Sequence, residues 1–165
     1  MKSKPLLVGM NNPQGNVPLF PHPPGCTGWR IWQMIKGQTG ARRGEYMNTF
    51  DRVNLLDSPV WNARAARANR EAILRQMEGR TAVLLGRAVP ACLGLPATLA
   101  GVWYVTPNPD DQTKDTRWCF LPHPSGLNRW YNDPENLKMA SELLSDLFTA
   151  YRHGLALSSE TRRVA

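Results

Sequence analysis

The sequence predicts an α/β fold: a three-layer α/β/α sandwich with a central, mainly parallel sheet of four or five strands. Three observations point there. Four short apolar runs, Leu6–Val8, Val53–Leu56, Ala82–Leu85 and Trp118–Leu121, lack the apolar/polar alternation of a sheet wetted on one face, so they read as strands covered on both sides. Helix-like segments separate them, and strands alternating with helices call for right-handed crossovers and parallel neighbours. The 165 residues, 42% hydrophobic and 20% charged, suit one domain with a real core.

Each element has a local cause. A short helix is expected over Gly28–Lys36 and another over Arg87–Leu93. After the second strand, Ser58 as N-cap, Pro59 at the first helical position and Gly79 past the end mark a helix running to about Met77. Trp103–Val105 is a candidate fifth strand, and the polar stretch Pro107–Asp115 an exposed loop. Asp133-Pro134-Glu135 opens the last helix, in which Leu137, Ala140, Leu144, Leu147 and Tyr151 recur at helical spacing as a buried stripe before Gly154. The domain is expected to span residues 1–157, with 158–165 as a frayed tail.

Composition narrows the partners. Twenty Lys+Arg, fifteen of them arginine, against thirteen Asp+Glu give a formal charge of +7, which suits a polyanion. An arginine-rich composition also arises in basic proteins that bind no anion. No apolar run is long enough to span a bilayer, and the run after Met1–Pro5 is too short for a signal peptide, so a soluble, cytoplasmic protein is expected. Cys26, Cys92 and Cys119 form no CxxC pair, which argues against a disulfide framework or a four-cysteine cluster. His22-x3-Cys26 with Cys119-x3-His123 would supply four zinc ligands, but not at the spacing of structural zinc sites. Nucleotide-binding glycine motifs are absent.

In open α/β sheets, ligands bind beyond the carboxyl ends of the strands. Here the first strand runs into Gly9-Met10-Asn11-Asn12-Pro13-Gln14-Gly15, the second carries Asn54, the third stops at Gly86-Arg87, and the fourth leads into His123-Pro124-Ser125-Gly126-Leu127-Asn128-Arg129. An amide pair, a lone amide and a histidine would converge on one rim, a pocket suited to a planar polar group. In the last loop, Leu127 suits a wedge that enters a base stack while Arg129 holds phosphate or an orphaned base. The alternative is that Leu127 caps the core and Arg129 is merely solvated.

Pro-Ser-Gly-Leu-Asn-Arg, residues 124–129, resembles the Asn-Pro-Ser-Gly-Leu-Asn-Arg motif of the mismatch-specific uracil/thymine-DNA glycosylases, a branch of the uracil-DNA glycosylase superfamily. The first loop is similar to that superfamily's Gly-x-Asn-Pro motif. Leu19-Phe20-Pro21-His22-Pro23, followed by Gly28-Trp29-Arg30-Ile31-Trp32, resembles the segment carrying the base-stacking aromatic, and Asp51-Arg52-Val53-Asn54 the strand whose asparagine reads the base. The four motifs occur in the family's order.

The resemblance implies a monofunctional DNA glycosylase that flips a pyrimidine from DNA and hydrolyses its N-glycosidic bond, leaving an abasic site. Phe20 would stack on the base and Asn54 bind its edge. Ser125, Gly126, Leu127, Asn128 and Arg129 would bind DNA. His123, as a neutral donor kept so by nearby positive charge, would stabilise the departing base, while Asn11 or Asn12 positions water. Relatives have one residue between the glycine and Asn-Pro, whereas Gly9 is followed by Met-Asn-Asn-Pro; counting from Gly9 selects Asn11, and counting back from Pro13 selects Asn12. Glutamine at position 14, where uracil-strict members have tyrosine, leaves uracil, mismatched thymine and C5-modified bases open, as does histidine in place of the branch's asparagine at 123. Trp29 and Trp32 read as core residues. No metal, organic cofactor or membrane is implied; the expected partner of the monomeric protein is double-stranded DNA, with single-stranded DNA as an alternative. The five lysines lie outside the motifs, so lyase activity is not expected. Alternatives are a glycosylase for hypermodified phage bases, in phage defence or phage metabolism, and a non-catalytic DNA-binding module of the same fold.

Overall fold

Side chains of successive strand residues point to opposite faces, so a sheet buried on both faces needs apolar residues at nearly every position. The computed structural model, which describes residues 2–12, 17–96, 99–157 and the backbone of 161–163, has this arrangement. Strands β1 (Leu6–Gly9), β2 (Asp51–Asn54), β3 (Thr81–Leu85), β4 (Trp103–Thr106), β5 (Thr116–Leu121) and β6 (Thr161–Arg163) form one sheet in the order β2-β1-β3-β5-β4-β6. β2, β1, β3 and β5 are parallel, β4 is antiparallel to β5, and β6 pairs parallel to β4.

Helices cover both faces, as the three-layer class requires. Leu7, Val83, Leu85, Cys119 and Leu121 meet α1 (Thr27–Thr39), α2 (Arg43–Thr49) and α6 (Pro134–His153) on one side. Leu6, Val8, Ala82, Leu84 and Trp118 meet α3 (Ala63–Ala68), α4 (Arg70–Met77) and α5 (Ala88–Leu93) on the other. α6 has the expected ends: Asp133 Oδ1 accepts from the Glu135 N–H, Pro134 follows, and Gly154 closes the helix in the left-handed region.

Several local expectations change. The helix after β2 begins at Ala63, capped by Asn62, not at Ser58-Pro59. The Ser58 carbonyl accepts from the Asn12 N–H and the Pro59 carbonyl from Asn11 Nδ2, so this segment walls the first loop instead of winding into a helix. The helix also breaks at Asn69, whose carboxamide donates to the buried Leu55 carbonyl at 2.7 Å. β2 spans Asp51–Asn54 rather than Val53–Leu56, lies at the sheet edge and has only exposed or half-buried residues; Leu55 and Leu56 are buried just beyond it. On α6, Leu137 is 42% exposed and Tyr151 half-buried, so both fall outside the buried stripe. Three residues of the expected tail, 161–163, pair with β4. α2 had no distinct signal in the sequence; its capping comes from Glu45, which accepts from the Arg42 N–H.

Trp118 is the largest wholly buried side chain, stacked on Tyr104 with centroids 4.6 Å apart and donating from its indole N–H to Thr106 Oγ1. Trp118→Ala should cost about 3–5 kcal/mol, read as a lower urea midpoint, because the cavity cannot close between two strands and a helix layer.

Candidate functional site

The carboxyl ends of four parallel strands lie along one rim. The chain leaves β1 toward β2 on one side and returns to β3 on the other, which makes the β1/β3 boundary the switch point where open α/β sheets hold ligands. The sequence places polar residues there, and the structure brings several of them together.

Asn54 and Gly9 are register partners at the ends of β2 and β1. Asn54 leans across Gly9 so closely that a Cβ on residue 9 would lie 2.2 Å from Asn54 Oδ1. Only glycine admits that amide. Asn54 Oδ1 is sealed from solvent with no donor among the described residues, and Asn12 Nδ2 is likewise buried with no acceptor. A buried polar atom without a partner costs about 1–3 kcal/mol. Asn11 differs, because its Nδ2 donates to the Pro59 carbonyl at 3.1 Å. Of the two candidate water-positioning residues, Asn12 therefore has the unused donor. Pro13, Gln14 and Gly15 lie outside the described residues.

His123 follows β5 and is half-buried, with Nε2 3.4 Å from Thr27 Oγ1 and its Cβ against Gly86 at the end of β3. Its pKa is lowered by burial. The neutral histidine is thus explained by desolvation and not by the neighbouring positive charge expected from the sequence. Thr27 lies in no motif; only the docking of α1 on the sheet brings it to His123.

Phe20 sits at the entry to α1 and is 39% exposed, so its ring is not consumed by the core. The turn before it is held firmly. Leu19 has φ of +52°, a left-handed conformation uncommon for leucine, and its carbonyl accepts from the buried Tyr46 hydroxyl at 2.9 Å. The Phe20 carbonyl accepts from Cys26 Sγ, and both carbonyls press on Gly28, where a Cβ would approach within 2.2 Å of the Leu19 oxygen. Glycine at 28 is what lets this turn rest on the helix.

The last loop stands free of the core. Leu127 is 94% exposed, which removes the core-cap alternative, and Arg129 is exposed beside it. Ser125 tightens the loop's start, its N–H donating to the His123 carbonyl and its carbonyl accepting from the Asn128 N–H. Asn128 Oδ1 accepts from the Trp130 N–H, so its side chain caps the short turn Arg129–Asn132 while its neighbours face outward. Tyr131 anchors the base of the loop through a 2.6 Å bond to the Pro122 carbonyl. Trp32 packs on the core as expected, but Trp29 lines a surface cleft.

Arg64 in the first turn of α3, Arg87 after β3 and Arg129 are exposed at the rim, and none joins an ion pair among the described residues. The pairs Arg80–Asp51 and Arg152–Glu45 sit at the opposite pole. Among the described residues no three His, Cys, Asp or Glu side chains group to hold a metal, and no helix is long and apolar enough to cross a membrane. No model of a known protein family matches the chain, and no curated protein matches it.

Two outcomes test this geometry. Gly9→Ala should displace the Asn54 amide and destabilise the fold by about 1–3 kcal/mol in thermal or urea denaturation. Because burial lowers the pKa of folded His123, the unfolded chain takes up its proton first, near pH 6.5. Stability should be full above that value and fall as pH drops toward the folded pKa, and His123→Gln should flatten the profile of urea midpoints in that window.

Proposed function

We propose that the chain is a monofunctional DNA glycosylase that everts a pyrimidine, whether uracil, mismatched thymine or a C5-modified base, and hydrolyses its glycosidic bond. One observation carries the proposal: at the end of β2 the acceptor of Asn54, and in the loop that leaves the adjacent parallel strand β1 the donor of Asn12, are each buried without a partner among the described residues. A nucleobase edge offers an N–H to Asn54 Oδ1, and a water or carbonyl oxygen offers an acceptor to Asn12 Nδ2. The resemblance of residues 124–129 to the glycosylase loop and the fully exposed Leu127 support the eversion step.

In the proposed reaction Leu127 enters the stack and Arg129 and Ser125 hold the backbone, while the everted base lies against Phe20 with its edge on Asn54. The C1′–N bond breaks with its electron pair passing to the base, and neutral His123 donates a hydrogen bond to the developing anion. Water held by Asn12 forms the new bond to C1′ and loses its proton to solvent; the base leaves and is protonated in turn. An amide orients water but does not deprotonate it strongly, so leaving-group stabilisation dominates and turnover is modest. The rim arginines Arg64 and Arg87 add phosphate contacts that salt weakens.

A duplex with one uracil opposite guanine, incubated with protein and treated with hot alkali, tests the proposal, with thymine, hydroxymethyluracil and glycosylated hydroxymethylcytosine duplexes alongside. Strand scission with at least one substrate is expected. His123→Ala should lower the single-turnover rate about 10²–10³-fold, Asn12→Ala about 10²-fold, and Asn11→Ala less than either. Leu127→Ala should impair duplex more than single-stranded substrate. Binding to every duplex with no abasic product would favour a non-catalytic module instead.

A further inference from the structure

Between β2 and α3 the chain makes a bend, Asp57-Ser58-Pro59-Val60-Trp61, whose side chains have no part in the proposed chemistry. Trp61 packs on the core beneath α3 and α4, whereas Val60 beside it is 70% exposed. One exposed apolar side chain is ordinary on a protein surface. This one differs in what holds it. The Val60 N–H donates to Ser58 Oγ at 3.2 Å, which closes the bend on itself. From the first loop, the Asn12 N–H donates to the Ser58 carbonyl at 3.2 Å and Asn11 Nδ2 to the Pro59 carbonyl at 3.1 Å. With the backbone of Pro59 fixed between these bonds, Val60 cannot fold back onto the core.

The bend leaves the carboxyl end of β2, and the loop that carries Leu127 leaves that of β5. Leu127 and Val60 are the two most exposed large apolar side chains among the described residues, and they stand on one rim, on either side of the β1/β3 switch point. Each is followed by an exposed arginine that joins no ion pair among the described residues, Arg129 in one case and Arg64 in the other. Asp57 is the bend's one carboxylate, and no acidic residue follows it until Glu71. β2 and β5 lie three strand spacings apart, about 14 Å at 4.8 Å each. That span equals about four base steps of stacked duplex at 3.4 Å. The two tips therefore meet DNA at different steps.

We propose that the bend at Val60 is a second DNA-contacting tip, seated against the duplex that flanks the everted nucleotide, about four base pairs from the step that Leu127 enters. The proposal rests on the glycosylase reading and adds to it a footprint that is longer on one side of the target than on the other. Side chains that part a base step are longer or broader than valine. Val60 accordingly presses on the sugars and base edges of a groove without entering the stack, and Arg64 holds the adjoining phosphate.

The test uses the full chain and needs no turnover. Duplexes carry a tetrahydrofuran abasic analogue with ten base pairs on one side and two, four, six or ten on the other, in both orientations, and binding is read by fluorescence anisotropy. Shortening one particular flank from six pairs to two should weaken wild-type binding about fivefold more than shortening the other. Val60→Ser should erase that difference while leaving affinity for the duplex short on that flank unchanged. Val60→Ile, which keeps an apolar tip, should retain it, and Leu127→Ala should weaken binding at every flank length. Equal dependence of the wild-type protein on the two flanks, or a Val60→Ser variant that keeps the difference or loses affinity equally at every length, would overturn the proposal alone. Failure of the wild-type protein to bind any of the duplexes would overturn the glycosylase proposal itself.

Discussion

Everything at the rim depends on one close approach, the amide of Asn54 lying across the α-carbon of Gly9. Two neighbouring parallel strands end at the same level, and a missing side chain on one admits a polar side chain from the other. The contact leaves a buried acceptor without a donor, an arrangement that opposes folding and that the surrounding apolar layers must offset. The layers can do so because β1 and β3 are buried on both faces, and because the backbone of residues 9 and 10 continues to pair with Leu55 and Leu56 beyond β2. A rigid frame thus holds a polar group in a position it would not adopt in isolation.

Much of the remaining hydrogen bonding serves to aim loops at this place. Tyr46, on the buried side of α2, reaches the Leu19 carbonyl and holds an unfavourable backbone angle just before Phe20. Tyr131 and Asn128 brace the two ends of the segment that displays Leu127. The Tyr46 bond ties its loop to α2, while the Tyr131 and Asn128 bonds close the segment between β5 and α6 on itself, so the loops keep their geometry while Leu127 stays in solvent. Among the arginines, Arg80 is paired with Asp51 and Arg152 with Glu45 at the amino ends of the strands, while Arg87 and Arg129 at the carboxyl ends join no ion pair among the described residues. Those rim arginines, together with the unpartnered amides and the exposed Leu127, are why a nucleic acid is the proposed partner.

The surface cleft that Trp29 lines broadens this view of α1. Its buried side, through Ile31 and Ile35, is ordinary core packing, whereas Trp29, Arg30 and Gln33 face the loop after β5. One helix therefore supports the fold, supplies Thr27 to the neighbourhood of His123, and walls that cleft. A rigid helix is a better place for such groups than a loop, because their separation is set by backbone hydrogen bonds.

The layer architecture was legible in the amino-acid order because it follows from local patterns: unbroken apolar runs for doubly covered strands, and Asp133-Pro134 and Gly154 for the ends of α6. Polar strand exits at Gly9–Asn12, Asn54 and His123 were legible for the same reason, since the fold class says where such exits meet. Other features needed the third dimension. Ser58-Pro59 has the form of a helix start, yet tertiary hydrogen bonds from Asn11 and Asn12 claim those carbonyls. The edge position of β2, the pairing of residues 161–163, the difference between Asn11 and Asn12, and the burial that keeps His123 neutral all join residues distant along the chain. Local propensity carries no information about such partners, because their energies exist only once packing has excluded water from between them.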